Sequence, residues 1–350
     1  MSKPVVIIDP DWRRMDELFS TSAQSKLRER YDVVWGRDGS IPSDVLSQAL
    51  PHATVLIAAT PSIDADTLRC APSLRTVIEV SGAFPDTIDY QACFDSNVEV
   101  LSCAPGFRQS VAEMGLAMAL AGARGLVDEH EAFRVGQEHW LADRRDTDFS
   151  LFGADVGFVG FGQIAQEITR LIAPFAPITR AYDPWLPKAV ADGFQAELCS
   201  LDQVMSQSRC LFVTAAPSSE NQHLIDRVQL KQLPQNALLI VLSRAHLVDF
   251  AALKSELASG RIRACIDVFP HEPVAQDDSL RRQSNVVLSP HRAAAVAGGR
   301  QLIGDMILSD LESIRLGAPE RKLSVARLET IAALAGVGDA ASVSEMALDR

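Results

Sequence analysis

Three side chains of the types that move protons and grip anions occupy comparable places in the second half of this 350-residue chain: Arg244, Glu272 and His291. Each stands at or just beyond the end of an apolar run that reads as a β-strand, Leu238–Leu242, Ala264–Val268 and Val286–Leu288 in turn. In an open parallel sheet ligands bind outside the carboxyl ends of the strands, so the three are expected to converge. An imidazole with a carboxylate partner is a natural proton carrier, because the carboxylate fixes the tautomer and keeps the ring useful near neutrality. A guanidinium beside it can hold a substrate carboxylate through paired hydrogen bonds and polarise an adjacent carbonyl. Singly, each has an ordinary explanation: a loop histidine after Pro290, a strand-capping cation, a Glu-Pro turn. Placement on successive strand ends is what favours chemistry. The other six histidines lack that placement, and only His271, next to Glu272, comes close to it.

The same chain offers a place for a hydride carrier. Residues 156–183, VGFVGFGQIAQEITRLIAPFAPITRAYD, read as strand, glycine turn, helix and second strand ending on Asp183. Gly160 permits the tight turn, Gly162 lets backbone N–H groups approach a pyrophosphate, and Ala165 keeps helix and strand close. The helix N-terminus adds partial positive charge for the phosphates. Asp183 is placed to accept hydrogen bonds from adenosine ribose hydroxyls and to repel a 2′-phosphate, which favours NAD over NADP. Clamp, proton carrier and hydride carrier together are what reversible reduction of a 2-oxo acid requires.

Strand-like runs recur before this unit at Val5–Asp9, Val33–Gly36, Val55–Ala58, Thr76–Val80 and Val98–Leu101, with helical stretches such as Ser43–Leu50 and Asp64–Arg69 between them. After it they recur at Leu211–Thr214 and the three strands above, with helices near Leu201–Ser206, Arg227–Leu233 and Phe250–Ser259. This rhythm predicts an α/β chain of two doubly wound parallel-sheet domains. Residues 1–104 plus 294–330 are expected to form one, 105–293 the nucleotide domain, and 331–350 a tail. One buried helix from about Ser110 to Leu126 is expected to lead into the second domain, and the stretch through Asp305–Ile314 to lead back. The 33 basic and 45 acidic residues give a net charge of −12, which argues against nucleic acid or an anionic membrane as partner. Six scattered cysteines without a C-x-x-C pair argue against a metal site or disulfide framework. No signal-peptide layout and no apolar run of bilayer length stand in the sequence, so a cytoplasmic location is expected.

Over roughly residues 50–320 the chain resembles the D-isomer-specific 2-hydroxyacid dehydrogenases. The matching segments are SGAFPDTIDYQAC (81–93), APGFRQSVAEM (104–114), VGFVGFGQIAQ (156–166), YDP (182–184), APSSENQHLI (216–225), LSRAHLVDFAAL (242–253), IDVFPHEPV (266–274) and SPHRAAA (289–295). The resemblance implies a Rossmann cofactor domain inserted into a flavodoxin-like substrate domain, with NAD as cofactor and substrate entering between the domains. It implies Arg244 as the substrate-orienting arginine, Glu272 as partner carboxylate and His291 as general acid/base. Gly160, Gly162, Gln163 and Ile164 would lie against the pyrophosphate and Asp183 against the ribose. Ala216, Pro217 and Asn221 would border the adenosine side, Leu242, Ser243 and Arg244 the nicotinamide side, and Asp267 would accept a bond from the carboxamide. The backbone around Ser81, Gly82 and Ala83 would bind the substrate carboxylate. A homodimer is implied as well.

Several positions depart from that pattern, among them Ala165, a common replacement for the third glycine of the fingerprint. Ala245 replaces the usual glycine after the arginine, a problem only if the backbone there needs positive φ. Arg292 and Arg108 could read a second acidic group on the substrate. Two other readings stay open: an NAD(H)-sensing corepressor-like protein, and a dehydrogenase of phosphite or formate type, for which the resemblance would place glutamine at Glu272. Which 2-hydroxy acid is used is not legible, and residues 323–350 are too few for the long regulatory domain of a phosphoglycerate-type enzyme.

Overall fold

The computed structural model describes residues 3–141 and 146–334. They form two compact units. The first takes residues up to 108 and again from 296, the second residues 109–295. The expected boundaries lay four residues earlier on the way in and two earlier on the way out.

The first unit is built on a six-stranded sheet. Its strands are β1 (Val5–Asp9), β2 (Asp32–Trp35), β3 (Ala53–Ala58), β4 (Thr76–Glu79) and β5 (Glu99–Ser102), all parallel. The second unit carries seven parallel strands: β6 (Asp155–Val159), β7 (Ile178–Tyr182), β8 (Glu197–Leu198), β9 (Cys210–Val213), β10 (Leu238–Val241), β11 (Arg263–Ile266) and β12 (Val286–Leu288). A last strand, β13 (Ser324–Val325), returns to the first sheet and pairs antiparallel with β5. The orders are β13-β5-β4-β3-β1-β2 and β12-β11-β10-β9-β6-β7-β8. In the second sheet the winding reverses beside β6, the strand that feeds the glycine turn, and ligands of open α/β sheets bind at such a switch point.

Runs such as LLIV in β10 and CLFV in β9 are buried at every position, as strands covered by helices on both faces must be. Phe158 of β6 stacks on Phe212 of β9 with ring centroids 5.1 Å apart, and Phe161 meets Phe158 edge-on at 5.5 Å. The glycine turn therefore rests on packed aromatic rings. In the first unit β13 is held by Asp310, whose buried carboxylate accepts the amides of Lys322 and Leu323 at 2.7 and 2.9 Å.

Several elements differ from expectation, three of them instructively. The single helix expected over 110–126 is two helices, Arg108–Ala123 and Leu126–Arg134, bent by 61°. Gly125 takes a left-handed φ of 56° and breaks the run, a conformation open to glycine at little cost. The helix Thr21–Arg30 was not expected, because only Ala23 and Leu27 of its ten residues are buried and the periodic signal is faint. Antiparallel β13 is too short to announce itself. Among the described residues no single helix is long and apolar enough to cross a membrane.

Candidate active site

All strands of the second sheet run parallel, so the segments after β6, β7, β9, β10, β11 and β12 share one edge. There the structure gathers the glycine turn, Asp183, Ala216–Asn221, Leu242–Arg244, Asp267–Glu272 and Ser289–His291. The decisive distance is between His291 Nδ1 and Glu272 Oε2, 2.7 Å. Glu272 Oε1 accepts the Phe269 amide at 2.8 Å. Burial pushes the Glu272 carboxyl up. The His291 hydrogen bond, the Phe269 amide and the charges of His291 and Arg244 outweigh it and leave the group below the ordinary carboxylate range. An ionised carboxylate only accepts, so Nδ1 carries the proton and Nε2 is left to exchange one with a ligand. Arg244 donates from Nη1 to its neighbour's Ser243 carbonyl at 2.8 Å. Burial pushes its guanidinium down while the Glu272 charge works the other way.

His291 sits at φ 51°, a left-handed conformation that costs a side-chain-bearing residue of order 1 kcal/mol and persists only when neighbours hold it. Asp267 does the holding. Its backbone carbonyl accepts the His291 amide at 2.8 Å. Its carboxylate accepts the Ser289 hydroxyl at 2.5 Å and the amides of Arg292 and Ala293 at 2.9 and 3.0 Å. Asp267 is 0% exposed, and these bonds commit its carboxylate to holding the turn that carries His291. Replacing it with alanine leaves three donors without their acceptor. The expected loss is roughly 2–4 kcal/mol of stability, together with a fall in kcat and an unchanged affinity for NADH. Calorimetry and steady-state kinetics on the same preparation check it.

The cofactor side is built with equal economy. Gly160 holds φ 85°, and a Cβ there would overlap the Ala215 backbone. Asp183 accepts the Phe161 amide at 2.9 Å and the Trp185 amide at 3.1 Å, tying the end of β7 to the glycine turn. Three observations test whether a dinucleotide fits. A Cβ on Gly162 would meet nothing within 4 Å, so the turn faces open space. The helix Gln163–Ile172 begins without a side-chain cap, leaving its first amides for another acceptor. The buried Ser243 hydroxyl has no hydrogen-bond partner. The residues present fit the group.

Residues 116–293 match the family model described as D-isomer specific 2-hydroxyacid dehydrogenase, NAD binding domain. The chain belongs to that family. A phosphoglycerate oxidoreductase from Rhizobium etli superposes with a TM-score of 0.81 at 31% identity, over 93% of this chain and 99% of that one. The D-3-phosphoglycerate dehydrogenase of Mycobacterium tuberculosis is 32% identical over 318 residues, 90% of this chain and 57% of that protein. A glyoxylate reductase of Korarchaeum cryptofilum is 27% identical over 299 residues, 84% of this chain and 89% of that protein. The chain spans little more than half the length of the phosphoglycerate dehydrogenases it matches.

The remaining expected positions of a 2-hydroxyacid dehydrogenase divide by what their atoms do. Asn221 is buried and pins its own loop, accepting the Ser218 amide at 2.7 Å and donating to the Ala216 carbonyl at 2.8 Å. It shapes the segment that carries Ala216 and Pro217. Leu242 is buried beneath the site. Ala245 begins a single helical turn, Ala245–Leu247, and is absent from the residues with positive φ, so the missing glycine costs nothing. Arg108 donates to the Pro105 carbonyl at 3.1 Å within the first unit, and Arg292 is exposed in the second. In the first unit the amides of Ser81, Gly82 and Ala83 all donate to the carboxylate of Glu79. Sequence reasoning passed over Glu79 and the anchoring role of Asp267; a carboxylate at the end of an otherwise apolar strand was the signal in both places.

Proposed function

We propose that this chain is an NAD-dependent dehydrogenase of D-2-hydroxy acids that runs as a 2-oxo acid reductase. The observation that carries the reading is the His291–Glu272 pair, 2.7 Å apart, beside Arg244 on the sheet edge that bears the glycine turn. Gly160, Gly162, Gln163 and Ile164 hold the pyrophosphate, Asp183 and the Ala216–Asn221 loop the adenosine side, Leu242 and Ser243 the nicotinamide ribose. NADH, when bound, supplies the hydride for C2 of the substrate. Arg244 grips the substrate carboxylate and polarises the neighbouring carbonyl. His291 Nε2 gives a proton to the carbonyl oxygen in reduction and takes it back in oxidation, while Glu272 fixes the ring. The carboxylate at Glu272 supports hydroxyacid chemistry over a formate type. Relatives named for phosphoglycerate and glyoxylate chemistry support a small acid as substrate.

The test is a spectrophotometric screen of glyoxylate, hydroxypyruvate, pyruvate and branched and aromatic 2-oxo acids with NADH and with NADPH. At least one acid is expected to turn over, with kcat/KM for NADH at least about tenfold above that for NADPH, the ratio for roughly 1.4 kcal/mol of repulsion between Asp183 and a 2′-phosphate. Silence across the panel would remove the activity, and equal use of both cofactors would remove Asp183 from cofactor choice.

The second unit also exposes large apolar side chains over one stretch of chain: Leu126, Phe133, Val135, Trp140 and Phe152 are each at least 59% exposed. Apolar surface of this kind favours burial against a partner. The reading is a homodimer joined there, and a sedimentation mass of one chain at micromolar concentration would contradict it. The cysteines described are free and four are buried, which supports a reducing, cytoplasmic setting.

A further inference from the structure

Between β9 and the helix Arg227–Gln232 the chain makes a turn, residues 216–221, on the edge that bears the glycine turn. The turn is tied to itself. Asn221 Oδ1 accepts the Ser218 amide, Asn221 Nδ2 donates to the Ala216 carbonyl, and the Asn221 amide donates to the Ser218 carbonyl at 3.2 Å. Such local bonds fix the shape of a turn and leave its place on the unit open. Among the described residues one side chain from outside the turn hydrogen-bonds it: His246, whose Nε2 lies 2.9 Å from the Ser218 carbonyl oxygen. A carbonyl only accepts, so Nε2 carries the proton and donates.

The backbone of the same residue holds the far end. The His246 carbonyl accepts the His223 amide at 2.9 Å, and His223 sits at φ 53°. A left-handed conformation is unfavourable for a residue with a Cβ and lasts only where neighbours fix it. Beyond that point the two segments run side by side. The Ile225 amide donates to the Leu247 carbonyl at 2.9 Å, and the Asp249 amide to the Ile225 carbonyl at 3.0 Å. Residue 246 therefore grips both ends of the stretch 218–223, one with its ring and the other with its main chain. It has a firm base from which to do so. The half-buried His246 stands on the single helical turn Ala245–Leu247, headed by Arg244, and its two neighbours Ala245 and Leu247 are buried in the core of the second unit.

On the reading that Ala216, Pro217 and Asn221 border the adenosine, we propose that His246 is a positioning residue for dinucleotide binding. Its ring latches the turn 216–221 onto the buried turn Ala245–Leu247 and so sets where the adenosine half of the cofactor finds its border. His246 acts through Ser218, so the affinity for the cofactor, and not the hydride step, carries its signature.

Two substitutions separate the ring's bond from its bulk. Phenylalanine keeps a planar ring and loses the donor, whereas glutamine keeps an N–H donor. In His246→Phe the Kd for NADH and the Kd for ADP-ribose, the cofactor without its nicotinamide, should both rise about threefold to tenfold, the worth of one hydrogen bond. His246→Gln should stay within about twofold of the parent. His246→Leu repeats the loss of the donor with a different shape. A role in stability alone would lower the melting temperature and leave both Kd values in place wherever the variant is folded, and that result overturns the binding role. Glutamine binding as poorly as phenylalanine overturns it too, because the donor would then not be what matters. Hydrogen–deuterium exchange without cofactor gives an independent readout. Residues 216–224 should exchange at least about threefold faster in His246→Phe, while the glycine turn, residues 158–168, should not change. Unchanged exchange over 216–224 overturns the latch, and so does equal loosening of both segments. Faster exchange confined to 216–224 with unmoved Kd values would instead refute the adenosine-border reading and leave the latch standing, so the two failures are distinguishable.

Discussion

Replacing His291 with alanine is expected to lower kcat by roughly 10²–10⁴-fold, the usual range for losing a general acid/base. NADH affinity should change little, because the ring's hydrogen bond is to Glu272 and not to the glycine turn. The variant also relieves a left-handed backbone position only in part, since alanine carries the same Cβ as histidine. Stability should therefore stay close to that of the parent, which separates this loss from a folding defect. Steady-state kinetics with NADH fluorescence titration checks both halves, and near-normal turnover would take His291 out of the mechanism. Glu272→Gln probes the same pair from the other side. Glutamine can donate as well as accept, so it no longer fixes the proton on Nδ1, and kcat should fall at least about tenfold. The pH dependence has a definite sign. Glu272 is held below its ordinary range, so its contribution is complete above the unfolded carboxyl value of about 4.3. That contribution disappears as pH falls through the lower, folded value. Acid loss through Glu272 should thus appear only well below neutrality.

Gly160→Ala is expected to damage the cofactor unit as a whole. A left-handed alanine costs about 1–2 kcal/mol, and forcing a methyl group into packed backbone typically adds another 1–3 kcal/mol. Both terms apply, because φ is 85° and the new Cβ would overlap the Ala215 main chain. The strand cannot simply move aside: Thr214 donates from its hydroxyl to the Gly160 carbonyl at 2.7 Å, and the Gly160 amide donates to the Tyr182 carbonyl at 2.8 Å. Relaxation must then shift the turn and the amides that face the pyrophosphate. NADH affinity should fall by at least about tenfold, the equivalent of 1.4 kcal/mol, alongside a lower melting temperature. Gly162→Ala is the matched control, since a Cβ there meets no protein atom. It should leave stability almost unchanged while weakening NADH. If the two variants behave alike in stability, the steric account of Gly160 is wrong.

Periodicity and punctuation in the chain were enough to place β1 and β12 to the residue and the other parallel strands except the two-residue β8 to within a residue or two. Long apolar runs between turn signals leave a strand few alternatives. The same reasoning put Arg244, Glu272 and His291 on one edge, as they are, because in a parallel sheet a strand's end is a place in space as well as in sequence. It failed where local signal is weak or where one residue decides: the faintly amphipathic helix Thr21–Arg30, the two-residue strand β13 and the break at Gly125. Composition could not reveal these, since each is stabilised by contacts made only after collapse.

The linear order of residues by itself determined the α/β architecture, the dinucleotide turn and the placement of Arg244, Glu272 and His291 at strand ends. These depend on short-range patterns: residue type, spacing and the fixed direction of a parallel strand. Tertiary structure alone decided what the buried carboxylates do. Asp267 and Glu79 look alike in sequence, each closing an apolar strand. Folding turns one onto the loop that bears His291 and the other onto the amides of Ser81–Ala83. A buried charge takes whatever donors the surrounding backbone brings to it, and only the folded chain determines which donors those are.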